Sequence, residues 1–225
     1  MSDLIQATLE NNYYLIEELI NKGVPINDRD NNGNDALITA CIQGYPRIVQ
    51  LLIENGADVN AKYKRNQSPL IIAAANGNPD TARSLIYAGA EIDFQDDNGW
   101  TALMHATQIS DLAMVKLLVN HYAQINIKDK EGWTPLMIAA GQKNPEVVRY
   151  LIKYGAKVNE QNETGFTAIM LAIIFNKFEI VKILINQGAD LYARDNEERS
   201  ALDLARERGR KKIIKLIQNE NLSEF

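Results

Sequence analysis

Apolar and polar positions alternate along this chain on two scales, a helical one of three to four residues and a longer one of 33. On the long scale a large aliphatic residue stands at Leu37, Leu70, Leu103, Leu136, Ile169 and Leu202. Three residues later comes Ala40, Ala73, Ala106, Ala139, Ala172 or Ala205. Large and then uniformly small at one helical spacing predicts a first helix whose leucine faces the core and whose alanine admits a close neighbouring helix. A second helix follows, marked by the doublets Ile48-Val49 and Leu51-Leu52 and by the column Leu19, Leu52, Leu85, Leu118, Leu151, Leu184 and Ile217. The pattern predicts a helix pair every 33 residues, with no insertion or deletion between copies.

Polar positions set the boundaries. Asp35, Ser68, Thr101, Thr134, Thr167 and Ser200 form one column, and each has a short side-chain oxygen able to accept a bond from the exposed N–H groups of a helix start. Ala36, Pro69, Ala102, Pro135, Ala168 and Ala201 follow, as the first helical position favours. The second helix should stop at Gly23, Gly56, Gly89, Gly155 and Gly188, where the chain needs a positive φ. Roughly ten residues then lead to the next cap. Their β-branched pairs and Asp/Asn/Gly turn residues predict a short hairpin or extended loop.

Two helices and a β-turn loop every 33 residues resemble the ankyrin repeat. The segments "GWTPLMIAA" and "YGAKVNEQ" are similar to that family's typical "GxTPLHxAA" and "GADVNA". The resemblance implies an all-α fold, an ankyrin-repeat solenoid of stacked antiparallel helix pairs joined by β-hairpin loops, forming a single domain over 1–225. Its N-terminal cap would be 1–29, its full repeats 30–62, 63–95, 96–128, 129–161 and 162–194, and its C-terminal cap 195–225.

Departures from the family pattern carry expectations of their own. The histidine after the leucine is replaced in every copy, by Ile38, Ile71, Met104, Met137, Met170 and Asp203, so its loop hydrogen bond must be replaced or lost. Tyr122 takes a helix-end glycine site, at a cost of about 1 kcal/mol or more, which predicts a softer spot there. Asn66 takes a turn-glycine site but tolerates the left-handed conformation.

With 225 residues, 46% hydrophobic and 24% charged, the chain has ordinary globular composition. Its net charge of -5 argues against coating nucleic acid, which requires many phosphate-neutralising cations. A single cysteine, Cys41, suits a reducing compartment and reads as a buried, inert thiol. The N-terminus lacks the basic start and apolar run of a secretory signal, and no stretch reaches the apolar length of a membrane span. The expected setting is cytoplasmic, with unconventional export left open.

Catalytic chemistry finds no foothold in the sequence. His105 and His121 lack a metal or nucleophile constellation, no Gly-rich phosphate loop is present, and the recurring carboxylates begin turns, as Asp30, Asp96, Asp129 and Asp195 do, or follow a helix-end Gly-Ala, as Asp58 and Asp190 do. The chain is therefore read as non-enzymatic, with no cofactor, metal or catalytic residue. Asn60, Asn126 and Asn159 match an asparagine that, by the resemblance, can be hydroxylated, though bonding to nearby loop backbone suffices to explain it.

Function should lie where the period leaves residues free to vary. The position after the turn glycine runs Asn34, Gln67, Trp100, Trp133, Phe166 and Arg199, placing both tryptophans of the chain and a phenylalanine in consecutive copies. By resemblance this column lies on the concave, hairpin-side surface through which ankyrin proteins bind other proteins. At an ordinary helix spacing of about 8–10 Å the three aromatics would form a row roughly 20 Å long, suited to an interface of about 800 Å² per partner. Gln108, Ile109, Gln142, Ile174 and Phe175 would surround it, with Lys64, Arg65, Asp97, Asn98, Lys130 and Glu131 on the loops. Covering the loop-to-helix junction is the competing role for the aromatics.

The expected function is a monomeric, preformed scaffold for an unidentified protein partner. One alternative is an adaptor docking on nucleic acid or an anionic membrane through "RERGRKKIIKLI", 206–217, although a solubilising terminal repeat also accounts for those charges. Heavy use of Asn, Ile and Lys suggests a further alternative, a bacterial effector acting on host proteins.

Overall fold

The computed structural model describes residues 2–223. Residues 1, 224 and 225, at the outer ends of the expected caps, lie outside the described residues. Contacts divide the chain into two compact units, Met1–Ala106 with Ala113–Ala123, and Thr107–Leu112 with Gln124–Phe225.

Among the described residues the first unit holds α1 (Asp3–Leu9), α2 (Tyr13–Asn21), α3 (Ala36–Gln43), α4 (Pro46–Glu54), α5 (Pro69–Ala75) and α6 (Pro79–Tyr87). It also contains most of α7 (Ala102–Gln108) and α8 (Leu112–Asn120). The second unit holds α9 (Pro135–Gly141), α10 (Pro145–Lys153), α11 (Ala168–Ile174), α12 (Phe178–Asn186), α13 (Ala201–Glu207) and α14 (Lys211–Ser223). First helices pack on first helices and second on second: α1 on α3 and α3 on α5, α2 on α4 and α4 on α6 in one unit. In the other, α9 packs on α11 and α11 on α13, α10 on α12 and α12 on α14.

The first helices begin at the Ala/Pro column the sequence marks. Asp35, Ser68, Thr101 and Thr134 cap them through the N–H of the third residue on. At Ser200 the cap is reciprocal, because Asp203 returns a bond to the Ser200 N–H at 3.0 Å. Thr167 departs from the expected row: its hydroxyl is buried and makes no hydrogen bond. The alanine column is at most 1% exposed throughout, as close helix approach requires. Burying the Leu52, Leu85, Leu151 and Leu184 side chains to 0% exposure places on each the usual truncation cost of about 2–5 kcal/mol.

No strand occurs among the described residues, and the regular turns are instead closed by their first side chain. Asp30 accepts the N–H groups of Asn32 at 2.8 Å and Asn34 at 2.9 Å through one carboxylate oxygen, while its own N–H donates to the Asn34 carbonyl. Asp129, Asn162 and Asp195 repeat this arrangement. Successive turn tips are tied by backbone bonds, Glu163 N–H to Glu131 O at 3.0 Å and Asn196 N–H to Thr164 O at 3.1 Å. Gly132 and Gly165 sit at φ +80° and +79° under those bonds, where a Cβ would come within 2.9 Å and 2.8 Å of the next loop's backbone. Glycine there answers both a dihedral and a steric demand.

A second tie between repeats comes from asparagine. Asn126 donates to the Gly155 carbonyl at 3.0 Å and accepts from the Lys157 N–H at 2.9 Å, so one amide bridges to the helix end of the following repeat. Asn27, Asn60 and Asn159 make the same pair of bonds.

Two substitutions test these local arguments. Tyr122 holds φ +68° with its side chain 91% exposed, so Tyr122→Gly relieves left-handed strain and should stabilise by about 1 kcal/mol, raising the melting temperature by about 2–4 °C. An unchanged or lower melting temperature would show that the site carries no strain. Asn126→Ala removes two exposed bonds to the next repeat and should cost about 0.5–1.5 kcal/mol in urea unfolding. A loss below about 0.5 kcal/mol would show that water replaces the bridge.

Candidate functional site

In the second unit the residues singled out by sequence lie on loop tips and on the exposed ends of first helices. Trp133 and Phe166 are half-buried, each with its N–H bound by the turn-opening Asp129 or Asn162. The Arg199 guanidinium lies 6.0 Å from the centre of the Phe166 ring, and Arg199 itself pairs with Asp195 at 2.8 Å. Phe166 is thus partly covered by its neighbour. Gln142 donates to the Gln108 side chain at 3.2 Å, forming an amide step between repeats. Beside that step Ile109 is 47% and Phe175 54% exposed. The Phe175 ring lies against Gly141, whose missing Cβ would be 3.3 Å from it. Ile174 is half-buried, while Lys130 and Glu131 are exposed at the turn tip.

In the first unit Trp100 is half-buried with its ring centre 5.1 Å from that of His105. His105 Nε2 lies 3.1 Å from the second carboxylate oxygen of Asp96, and this contact ties helix to turn in one of the repeats that lack the family's histidine. Lys64, Arg65, Asp97 and Asn98 are exposed on their loops.

Sequence reasoning missed a cleft of about 330 Å³ in this unit. Ile38, Ile42, Ile72 and Ala75 form its floor, and Tyr63, Lys64, Gln67 and Asn34 contribute to its wall. Tyr63, in its lining, occupies the position of the turn-opening Asp. The loop reorganises into a 3₁₀ turn over Lys64–Asn66, with Arg65 and Asn66 at φ +57° and +55°. Asn66 fills the turn-glycine site as expected, whereas the left-handed Arg65 was not legible. The Tyr63 hydroxyl donates to Asp35 at 2.5 Å, under the Arg29 guanidinium 4.7 Å from the ring centre. Burial first, then the Asp35 carboxylate, pushes the Tyr63 phenol well above its ordinary range. Cys41, fully buried, is shifted upward by the same two causes and stays a thiol, an unreactive form.

The basic segment divides in the structure. Arg210 donates to the Ile174 carbonyl at 3.0 Å, a bond back to the preceding repeat of the kind Asn78 makes to Cys41 and Asn144 makes to Ser110. Arg206 approaches Asp203 at 4.0 Å. Arg208, Lys211, Lys212 and Lys215 are exposed. The loop asparagines Asn60, Asn126 and Asn159 are held at both ends by the next repeat. Among the described residues no group of three or more His, Cys, Asp or Glu could hold a metal ion, and no helix is long and apolar enough to cross a membrane.

A family model described as Ankyrin repeats (3 copies) matches residues 4–63, 70–162 and 154–223. The chain belongs to the ankyrin repeat family. Among solved structures, it is similar to the human ASB11 ankyrin repeat domain at 26% identity and a TM-score of 0.83, covering 91% of this chain and 92% of that one. It is also similar to the ankyrin repeat domain of Bcl-3, a member of the IkappaB protein family, at 26% identity and a TM-score of 0.86, covering 97% and 98%. No curated protein matches it significantly. Ankyrin repeat domains are generally protein–protein interaction modules.

The last ankyrin repeat shows what its variable column can do structurally. Burial pushes the Asp195 carboxyl up, but the Arg199 guanidinium and the N–H groups of Arg199 and Glu197 outweigh it, leaving the group below the usual carboxylate range. A depressed folded value contributes stability above the unfolded value and loses it as pH falls through the folded one. Arg199→Gln should therefore move acid unfolding of this repeat to higher pH, read by circular dichroism and hydrogen exchange. An unchanged acid midpoint would show that the pair contributes nothing.

Proposed function

We propose that this ankyrin repeat protein is a non-catalytic scaffold that holds a partner protein on the first-helix ends and turn tips of its second unit. The observation that carries the reading is the exposure of Ile109 and Phe175 beside the Gln108–Gln142 amide step. Trp133 and Phe166, half-buried before the starts of their first helices, add apolar surface, and the exposed Lys130 and Glu131 supply mixed charge, the usual ingredients of an interface. Tryptophan contributes disproportionately where interfaces concentrate their energy. Nothing in the period requires an aromatic there, since Asn34, Gln67 and Arg199 occupy the same phase. Trp100, Asp97 and Asn98 offer a corresponding contact set on the first unit.

Ties between loops and between helices hold the binding groups in place before the partner arrives, so little ordering entropy is lost on association. This reading takes precedence over docking through residues 206–217, because Arg210 already serves the stacking of repeats and the chain is acidic at -5. A cytoplasmic setting and action as a single chain complete the proposal.

The test is affinity capture from lysate of the source cell with the immobilised chain. Trp133→Ala combined with Phe175→Ala should lose the captured partner, by about tenfold or more, with circular dichroism and melting nearly unchanged. Undiminished capture would remove these residues from the interface, and substantial unfolding would assign them to the architecture instead.

A further inference from the structure

The cleft beside Tyr63 has a chemistry distinct from the surface just described. Its floor is aliphatic, with Ile42 41% exposed at the end of α3 and Ile72 of α5 opposite. Asn34 and Gln67 line it with side-chain amides that make no hydrogen bond among the described residues. Each such amide offers both donors and an acceptor. Lys64 contributes to the wall and Arg65 stands beside it, both exposed and without an ion pair among the described residues. Asp35, the carboxylate nearest this wall, is buried and already bound by Ile38 N–H and the Tyr63 hydroxyl. Asp97, whose N–H bonds the Arg65 carbonyl, is the acidic neighbour on the next loop. Lys64 and Arg65 thus place two exposed cations at the cleft in a chain of net charge -5.

We propose that this cleft binds an extended segment of a partner protein in which one aliphatic side chain is flanked by carboxylates. The side chain occupies the isoleucine floor, Asn34 and Gln67 bond the segment's backbone, and Lys64 and Arg65 pair with its carboxylates. A volume of about 330 Å³ is at the low end of ligand pockets, which suits a single side chain better than an organic cofactor. Left-handed Arg65 and Asn66 fit this role, since non-glycine residues persist in that conformation mainly where surrounding structure imposes it, often at ligand clamps. The inference rests on the protein-scaffold reading but uses residues of the first unit alone.

The test uses the full chain labelled at isoleucine methyl groups and titrated with acetyl-Asp-Leu-Asp-amide. Ile42 and Ile72 methyl resonances should shift and saturate, and acetyl-Lys-Leu-Lys-amide should leave them in place. Lys64→Glu with Arg65→Glu, both on exposed side chains, should weaken the acidic peptide about tenfold without changing the melting temperature. Equal responses to both peptides, no response at millimolar peptide, or full affinity in the charge-reversed variant would each overturn the proposal. The Trp133→Ala, Phe175→Ala chain should still bind the acidic peptide. That response separates failure of the cleft from failure of the scaffold surface on the second unit.

Discussion

Each repeat in this protein leaves backbone polar groups that the next repeat, or the first side chain of its own loop, pairs. Buried or half-buried N–H and C=O groups are costly when unpaired, so this single constraint selects the residues that recur. A carboxylate or amide opens each regular turn because its oxygen reaches two N–H groups, as at Asp129 and Asn162. An asparagine precedes it because an amide can donate and accept at once, closing Gly155 and Lys157 from Asn126. On the opposite side Asn78, Asn144 and Arg210 each reach back to a carbonyl at the end of a first helix. Hydrophobic stacking supplies the driving force, and these polar ties set its register.

Once those positions are committed, the remaining side chains are available for recognition. That division gives physical content to the view that fold and function are separable. Phe175 and Ile109 are exposed large apolar side chains at the ends of their first helices, and no side-chain polar tie depends on them. The aromatic column is less uniform than its composition suggests. Trp100 lies at a tilt against His105, Phe166 lies beneath Arg199, and the Trp133 backbone N–H donates to Asp129. A residue's phase in the repeat therefore fixes where its backbone goes while leaving open what its ring contacts.

Helix starts, helix ends and the alanine contact were legible because each follows from a local demand that recurs from copy to copy. Pro69 and Pro135 begin helices for the same reason that Gly56 and Gly155 end them. The failures share a cause as well. Thr167 matches the capping column, yet its hydroxyl makes no bond, since the geometry of one side chain is not set by its type. Arg210 reads as part of a basic run, but its partner lies 36 residues earlier in sequence. Tyr63 breaks the Asp column visibly, although nothing in that substitution announces the cleft it lines with Ile42 and Ile72.

The sequence by itself determined the period, the helix pairs and their limits, and the family, because capping, glycine conformations and close packing depend on residues a few positions apart and recur at 33. Tertiary structure alone decided which polar side chains are consumed by the adjoining repeat, which aromatics are covered, and where a concavity forms. Those outcomes depend on what the next repeat places opposite each residue. Contacts about 30 residues apart in the chain become neighbours only when helix stacks on helix.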